Sequence, residues 1–132
     1  MKVNFEQLEV ASDQSYWHDG KPFDGIAVYR REDGTLESEV MFEDGVQSGP
    51  FSDFHSDGQV ACEGVIQNGV NHGEFKYWDG NGLLTKTESY EFGICTSRQE
   101  YDQAGNVISD YSLASDDPNA ALLAAYRNQA GS

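Results

Sequence analysis

The chain has 132 residues, with 23 acidic side chains against 8 lysines and arginines and a formal net charge of -15. That length holds one domain with a core able to fold without a metal or a disulfide, and that charge opposes binding to nucleic acid or to an anionic membrane. No apolar run approaches the roughly 20 residues that span a bilayer. Glu6 and Glu9 interrupt the opening segment where a secretory signal needs continuous apolar residues, so a cytoplasmic protein with Cys62 and Cys95 reduced is expected.

The first segment, "NFEQLEV", alternates Phe5 and Leu8 imperfectly. A short helix would fit it, and a lead-in strand is favoured. From Gly25 onward the chain repeats. Blocks starting at Gly25, Gly49, Gly73 and Ser97 follow one another every 24 residues. Gly34, Gly58 and Gly82 fall at one position of the repeat, with Gly105 one residue early, and Gly45, Gly69 and Gly93 fall at another. Glycines in register at a fixed period mark tandem supersecondary units.

Within each block the period is two. Counting from the inner glycine, even offsets hold apolar or small residues: Leu36, Val60, Leu84 and Val107, then Phe42, Ile66, Tyr90 and Leu113. Odd offsets are more polar, with Glu39, Glu63, Thr87 and Asp110 at offset five. Alternation of this kind is that of a strand with one buried face. Lys86 and Glu88 interrupt the apolar face of the third block. Each block therefore reads as a β-hairpin: a first strand such as "GEFKYW", a turn at "REDG", "HSDG", "WDGNG" or "DQAG", and a second strand. Asp, Asn and Gly tolerate the left-handed backbone that such turns need. Segments such as "EDGVQSG" and "QNGVNHG" then return the chain to the next hairpin.

The fold class expected is mainly β, an elongated antiparallel sheet of tandem hairpins over 1–114, followed by a tail over 115–132 with a short helix. In "DDPNAALLAAYRNQAGS", Asp117 is placed as the N-cap, Pro118 at the first helical position and Gly131 as the stop. Leu122, Leu123 and Tyr126 share one side of that helix.

Equivalent residues in successive hairpins lie two strands apart, about 9–10 Å. Glu39, Glu63 and Asp110 then form a spaced acidic row on one face. Asp33, Asp57 and Asp79 gather along one edge, with Asp44 on the other. Phe51, Phe54, Phe75, Tyr77, Trp78 and Tyr101 come from first strands and supply packing area. A single sheet cannot cover both of its faces, so some of these rings are expected to be exposed.

The order glycine, aromatic strand, "DG", then a strand ending in an aromatic and a further glycine resembles the MORN-repeat variant. The segment "YWHDGKPFDGIAVYRREDGTLESEV" is similar to bacterial repeat proteins of the antitoxin-like and immunity-like class. The resemblance covers about residues 15–113. It implies a protein that binds and neutralises a cognate toxin, with a general protein-interaction scaffold as the alternative. The acidic charge fits a basic toxin, such as a nuclease. The expected contact residues are Glu39, Glu63 and Asp110, with Tyr77, Trp78 and Asp79 at a hairpin edge.

No catalytic, cofactor or metal site is read from the sequence. "SDFHSD" brings Ser52, Asp53, His55 and Asp57 close in sequence, but neighbours on a strand point to opposite faces and do not converge as a triad must. "DFHSDG" starts like a calcium loop, yet His55 takes a ligand slot and Glu63 falls one residue short of the bidentate position. "GNG" at Gly80 leads into no helix and makes no phosphate cradle.

Overall fold

A computed structural model of the chain describes residues 1–130; Gly131, the expected helix stop, lies outside the described residues. The strands are β1 (Lys2–Asn4), β2 (Glu9–Val10), β3 (Tyr16–His18), β4 (Lys21–Pro22), β5 (Gly25–Arg30), β6 (Leu36–Glu43), β7 (Val46–Phe54), β8 (Val60–Gln67), β9 (Val70–Trp78), β10 (Leu84–Glu91), β11 (Ile94–Tyr101) and β12 (Val107–Ser112). One helix, α1 (Pro118–Ala130), follows. A nine-stranded open sheet runs β1-β5-β6-β7-β8-β9-β10-β11-β12, antiparallel throughout except where β1 lies parallel to β5. The tandem hairpins are thus β5–β6, β7–β8, β9–β10 and β11–β12, one for each block.

The two edges of the sheet use different turns. At one edge each inner turn is a tight loop closed by the same pair of bonds. Gly34 N–H donates to the Arg31 carbonyl and Arg31 N–H to the Thr35 carbonyl, and the pattern recurs at His55–Gln59, Asp79–Leu83 and Asp102–Asn106. Gly34 has φ of +87°, the left-handed residue that closes a three-residue hairpin loop. The register slips beside each such turn. At the other edge the expected long returns are only two residues long: Asp44–Gly45, Asn68–Gly69 and Phe92–Gly93 all have positive φ, the type I′ turn that suits the strand twist. The next strand begins at once, at Val46, Val70 or Ile94. The block-starting glycines Gly49 and Gly73 therefore lie inside strands, not in turns. Gly49 has φ of +116°, which residues with a side chain rarely adopt, and a Cβ there would also press on Met41 Sδ at 2.6 Å.

Alternation gives the sheet an inner and an outer face. The inner face is apolar at its N-terminal end, where Val3, Ala27, Val40, Phe42 and Phe23 form the core, with Phe5, Leu8, Tyr16, Tyr29 and Phe51 packed on it. Its cover is the lead-in segment. Residues Phe5–Gln7 form a 3-10 turn, not the strand expected of "NFEQLEV", and β2, β3 and β4 form a separate three-stranded sheet. Asp19 and Gly20 close the β3–β4 hairpin with positive φ at both residues. A 3-10 turn there lets Phe5 stack on Tyr29 (4.3 Å) and approach Tyr16 (5.5 Å), which a continuing strand would hold apart. The core chain of rings continues through Tyr16–Phe42 and Phe23–Phe42, then Phe51–Phe75 and Phe75–Tyr90. Of the first-strand aromatics, Phe75 is buried and the others are half-buried.

The helix starts as expected: Asp117 Oδ1 accepts from Asn119 N–H at 2.8 Å. It docks on the type I′ turn between β10 and β11. Tyr126 packs on Phe92 at 5.6 Å, Arg127 holds Glu91 through Nε (2.8 Å) and Nη2 (2.5 Å), and Leu123 is buried, whereas Leu122 is exposed. Phe92 sits at φ of +50°, where the equivalent residues are Asp44 and Asn68. A bulky side chain is strained in that region, and here it supplies the platform for Tyr126.

Candidate functional site

Strand pairing carries one row of residues across the whole outer face. Val28 stands opposite Glu39, Glu39 opposite Ser52, Ser52 opposite Glu63, Glu63 opposite Lys76, Lys76 opposite Thr87, Thr87 opposite Gln99, and Gln99 opposite Asp110. The three expected acids thus lie on one line and one face. Glu39 and Glu63 are separated by Ser52 alone, whereas Lys76, Thr87 and Gln99 stand between Glu63 and Asp110. The row has basic members as well: Lys2 Nζ meets Glu39 Oε1 at 3.2 Å, and Lys76 Nζ meets Glu74 Oε1 at 3.4 Å.

Around Glu39 and Glu63 the surface dips. Two open depressions, about 180 and 320 Å³, share Pro50, Phe51 and Ser52. Ile26, Met41 and Val65 add apolar walls, and Glu39, Glu63, Glu74 and Lys76 form the rim. Met41 and Val65 are 41% and 40% exposed, a large fraction for apolar side chains on a strand. Both sit seven residues after their inner glycine, an odd offset, so the alternation already places them beside Glu39 and Glu63.

The other three expected residues are elsewhere. Tyr77 is on the inner face, its hydroxyl donating to Glu88 Oε1 at 2.7 Å. Trp78 is half-buried at the end of β9, and its carbonyl accepts from His55 Nε2 at 2.9 Å. Asp79 is occupied with its own turn, where Oδ1 accepts from Asn81 N–H (2.9 Å) and Leu83 N–H (3.1 Å). Period-two alternation separates Tyr77 from Lys76 by a full face, so these six residues do not make one surface.

His55 belongs to a stitch between neighbouring turns. Arg31 Nη2 donates to the Phe54 carbonyl, and His55, one repeat later, meets the Trp78 carbonyl in the same way. A carbonyl only accepts, so His55 Nε2 carries its proton. Asp79 holds the next equivalent position, and its carboxylate accepts from Asn81 and Leu83 of its own turn. That is the physical reason the stitch ends there.

The inner face beyond Phe75 is polar. Glu88 is 4% exposed, and both its oxygens are engaged, by the Tyr77 hydroxyl and by Arg98 Nε at 2.7 Å. Burial pushes the carboxyl pKa up, but the two hydrogen bonds outweigh it and hold it below its ordinary value. Burial, with that carboxylate beside it, drives the Tyr77 hydroxyl upward. Lys86 Nζ stands 4.2 Å over the Tyr77 ring, and Ser38 Oγ donates to Asp53 Oδ1 at 2.6 Å. The Cys62 thiol is pushed up to about 11, first by burial and then by Asp53. A thiol of that pKa is protonated at neutral pH and is a weak nucleophile. Glu88 and Arg98 pair as ions, Asp53 is held by the Ser38 hydroxyl, and Lys86 lies on the Tyr77 ring.

A further depression, about 580 Å³, lies between the small sheet and the Gly45 turn. Its Asp13 carboxylate is already held by Ser15 N–H and Oγ. Among the described residues no group of three or more His, Cys, Asp or Glu side chains is placed to hold a metal ion, and no helix is long and apolar enough to cross a membrane. The chain matches no protein-family model and no curated protein.

Proposed function

We propose that the protein is a non-catalytic binding protein of the immunity or antitoxin type, which neutralises a toxin by covering it with the outer face of the sheet. The observation that carries this reading is the apolar patch of Ile26, Met41, Pro50 and Val65 with a rim of three acids, Glu39, Glu63 and Glu74, and one lysine, Lys76. Protein interfaces have this anatomy, an apolar centre within a polar rim. The rim and the net charge of -15 select a basic partner. The likeness of the repeats to antitoxin-like proteins supplies the class of partner. Long-range attraction by so many carboxylates makes association fast and sensitive to salt.

Coexpression with the protein encoded by the adjacent gene tests the reading. The native chain is expected to restore growth and to copurify with the toxin. Met41→Asp combined with Glu63→Lys is expected to abolish both while leaving the melting temperature unchanged, because both side chains are exposed. If toxicity persists beside the native chain and no complex forms, the immunity reading is wrong. The protein is then a general interaction scaffold.

A further inference from the structure

The two ends of the nine-stranded sheet are treated differently. β1 is three residues long, runs parallel to β5, and buries Val3, while Met1 and Lys2 tie it to Ile26 and Glu39. β12 is six residues long and every one of them is exposed. It pairs with β11 alone. Leu113 N–H donates to the Thr96 carbonyl, which fixes the phase of the ladder. Residues 109, 111 and 113 bond to β11, and Asp110 and Ser112 turn their N–H and C=O groups outward, whereas Ile108 is the unpaired residue of the register slip beside the turn.

Natural sheets blunt such an edge with lysine, proline, a mid-strand bulge or a cover. β12 carries one bulge, at Ile108 beside the turn; from Ser109 to Ser112 it has none of these, and its one charge is Asp110. Its side chains are those of a strand interior: Ile108 is 65% exposed, Val107 50% and Tyr111 39%. In the three earlier hairpins the equivalent strands, β6, β8 and β10, are each paired on their far side by the next block. After β12 the chain turns into α1 and leaves the place empty.

Charge decides the occupant. From Gln99 through Tyr126 the chain holds Glu100, Asp102, Asp110, Asp116 and Asp117, and no lysine or arginine. A second copy would bring the same acids to the same edge. The sheet also contains a template for the missing strand. Asp110 is the repeat equivalent of Glu63, and the residue opposite Glu63 on the following strand is Lys76.

We propose that the free edge of β12 takes an extended strand from a basic protein partner, which continues the sheet by antiparallel pairing and sets a lysine or arginine opposite Asp110. This rests on the protein-binding reading above and adds a second contact to it. Alternate side chains of the added strand fall beside Ile108 and Asp110 on the outer face and beside Tyr111 on the inner face.

The probe is a labelled peptide of roughly eight residues alternating lysine and valine, a usual strand length, titrated by fluorescence anisotropy at low salt. It is expected to bind, and a glutamate–valine peptide is not. Methylating alternate backbone nitrogens keeps the charge but removes the donors, and is expected to weaken binding about tenfold or more, the loss of two or more hydrogen bonds. Ser112→Pro removes an N–H that β11 does not use and is expected to do the same; Asp110→Pro at the same edge, with Asp110→Asn as its charge control, serves if the first variant does not fold. Equal binding of the methylated peptide, or by a folded proline variant, would mean attraction to surface charge alone and overturn the proposal. So would dimers of the native chain in sedimentation that the proline variant abolishes, since the occupant would then be a second copy. A toxin complex unaffected by the proline change sinks strand addition and leaves the immunity reading standing. Peptide capture at this edge with no toxin neutralised does the reverse.

Discussion

Val40 and Glu88 hold the same position in their repeats, six residues after the inner glycine, on the same face of the same sheet. Both are buried, 8% and 4% exposed. Val40 packs in a cluster with Val3, Phe23, Ala27 and Phe42, under the cover of the lead-in segment. Glu88 lies where that cover has ended, and it is held by Tyr77 and Arg98. One repeat position can therefore be filled by an aliphatic side chain or by an ion pair, and what decides is the layer above it. Where a second layer exists, dispersion and water exclusion hold the hairpins together. Where it is missing, the inner face is wet at its margin. Arg98 is there 40% exposed, so a charged pair can be desolvated on one side only.

The sharpest way to break the contrast is at Phe42, 1% exposed in the covered half. Phe42→Ala is expected to cost about 3–5 kcal/mol in urea unfolding, a large part of the stability of a domain of this size. A loss below about 1 kcal/mol would mean that the lead-in segment does not form a dry core. Arg98→Ala, in the uncovered half, leaves Glu88 buried with one partner. It is expected to cost about 1–3 kcal/mol, less than a fully buried pair because Arg98 is partly in water.

The polar half also carries a pH signature in the acid range, at Glu88. The Glu88 carboxyl titrates below its ordinary value in the folded chain. Its contribution is therefore present above that ordinary value and is lost as pH falls through the folded pKa. The stability difference between the native chain and Glu88→Gln should shrink as pH drops below the ordinary carboxyl range. A difference that stays constant to acid pH would show that the charge on Glu88 is not what Arg98 and Tyr77 hold.

Gly64 marks the boundary between the halves. A Cβ there would meet the Phe75 ring at 2.8 Å, so Gly64→Ala is expected to cost about 1–3 kcal/mol by overpacking. The smallest effect expected is at Asp117, where loss of the helix cap in Asp117→Ala removes about 1 kcal/mol of helix stability. Hydrogen exchange in α1 should rise while the sheet amides stay protected. Parallel loss of protection in the sheet would make the helix part of the core.

Much of this was legible in the repeats. The glycine ladders placed the four tandem hairpins, and even offsets named the inner face, because turn geometry and period-two alternation are local properties. The Asp117 cap was legible for the same reason. Three things were not. The lead-in folds back as a 3-10 turn and a second small sheet, which depends on Phe5 and Tyr16 meeting a face built later in the chain. Glu88 reads as a break in the apolar pattern until Tyr77 and Arg98, from the two flanking strands, are beside it. And the expected partner-contact set joined Tyr77, at a hairpin edge, to the acidic row, whereas alternation sends its side chain through the sheet to the other face. The apolar patch beside the acids could have been found by asking which odd offsets are apolar, since Met41 and Val65 share one.

From β5 to β12 each strand neighbours the next, and the chain before β5 and after β12 leaves from opposite ends of that order. Tension applied between those ends acts across the strands, along the backbone hydrogen bonds, and loads one strand pair at a time. A sheet sheared along its strands resists until many bonds fail together; this one unzips. The uncovered end, where α1 is held by a few side chains, gives way first. Each hairpin that peels off frees about 24 residues, at up to about 3.3–3.6 Å apiece. Under load the molecule lengthens in steps, with the covered N-terminal core the last part to open.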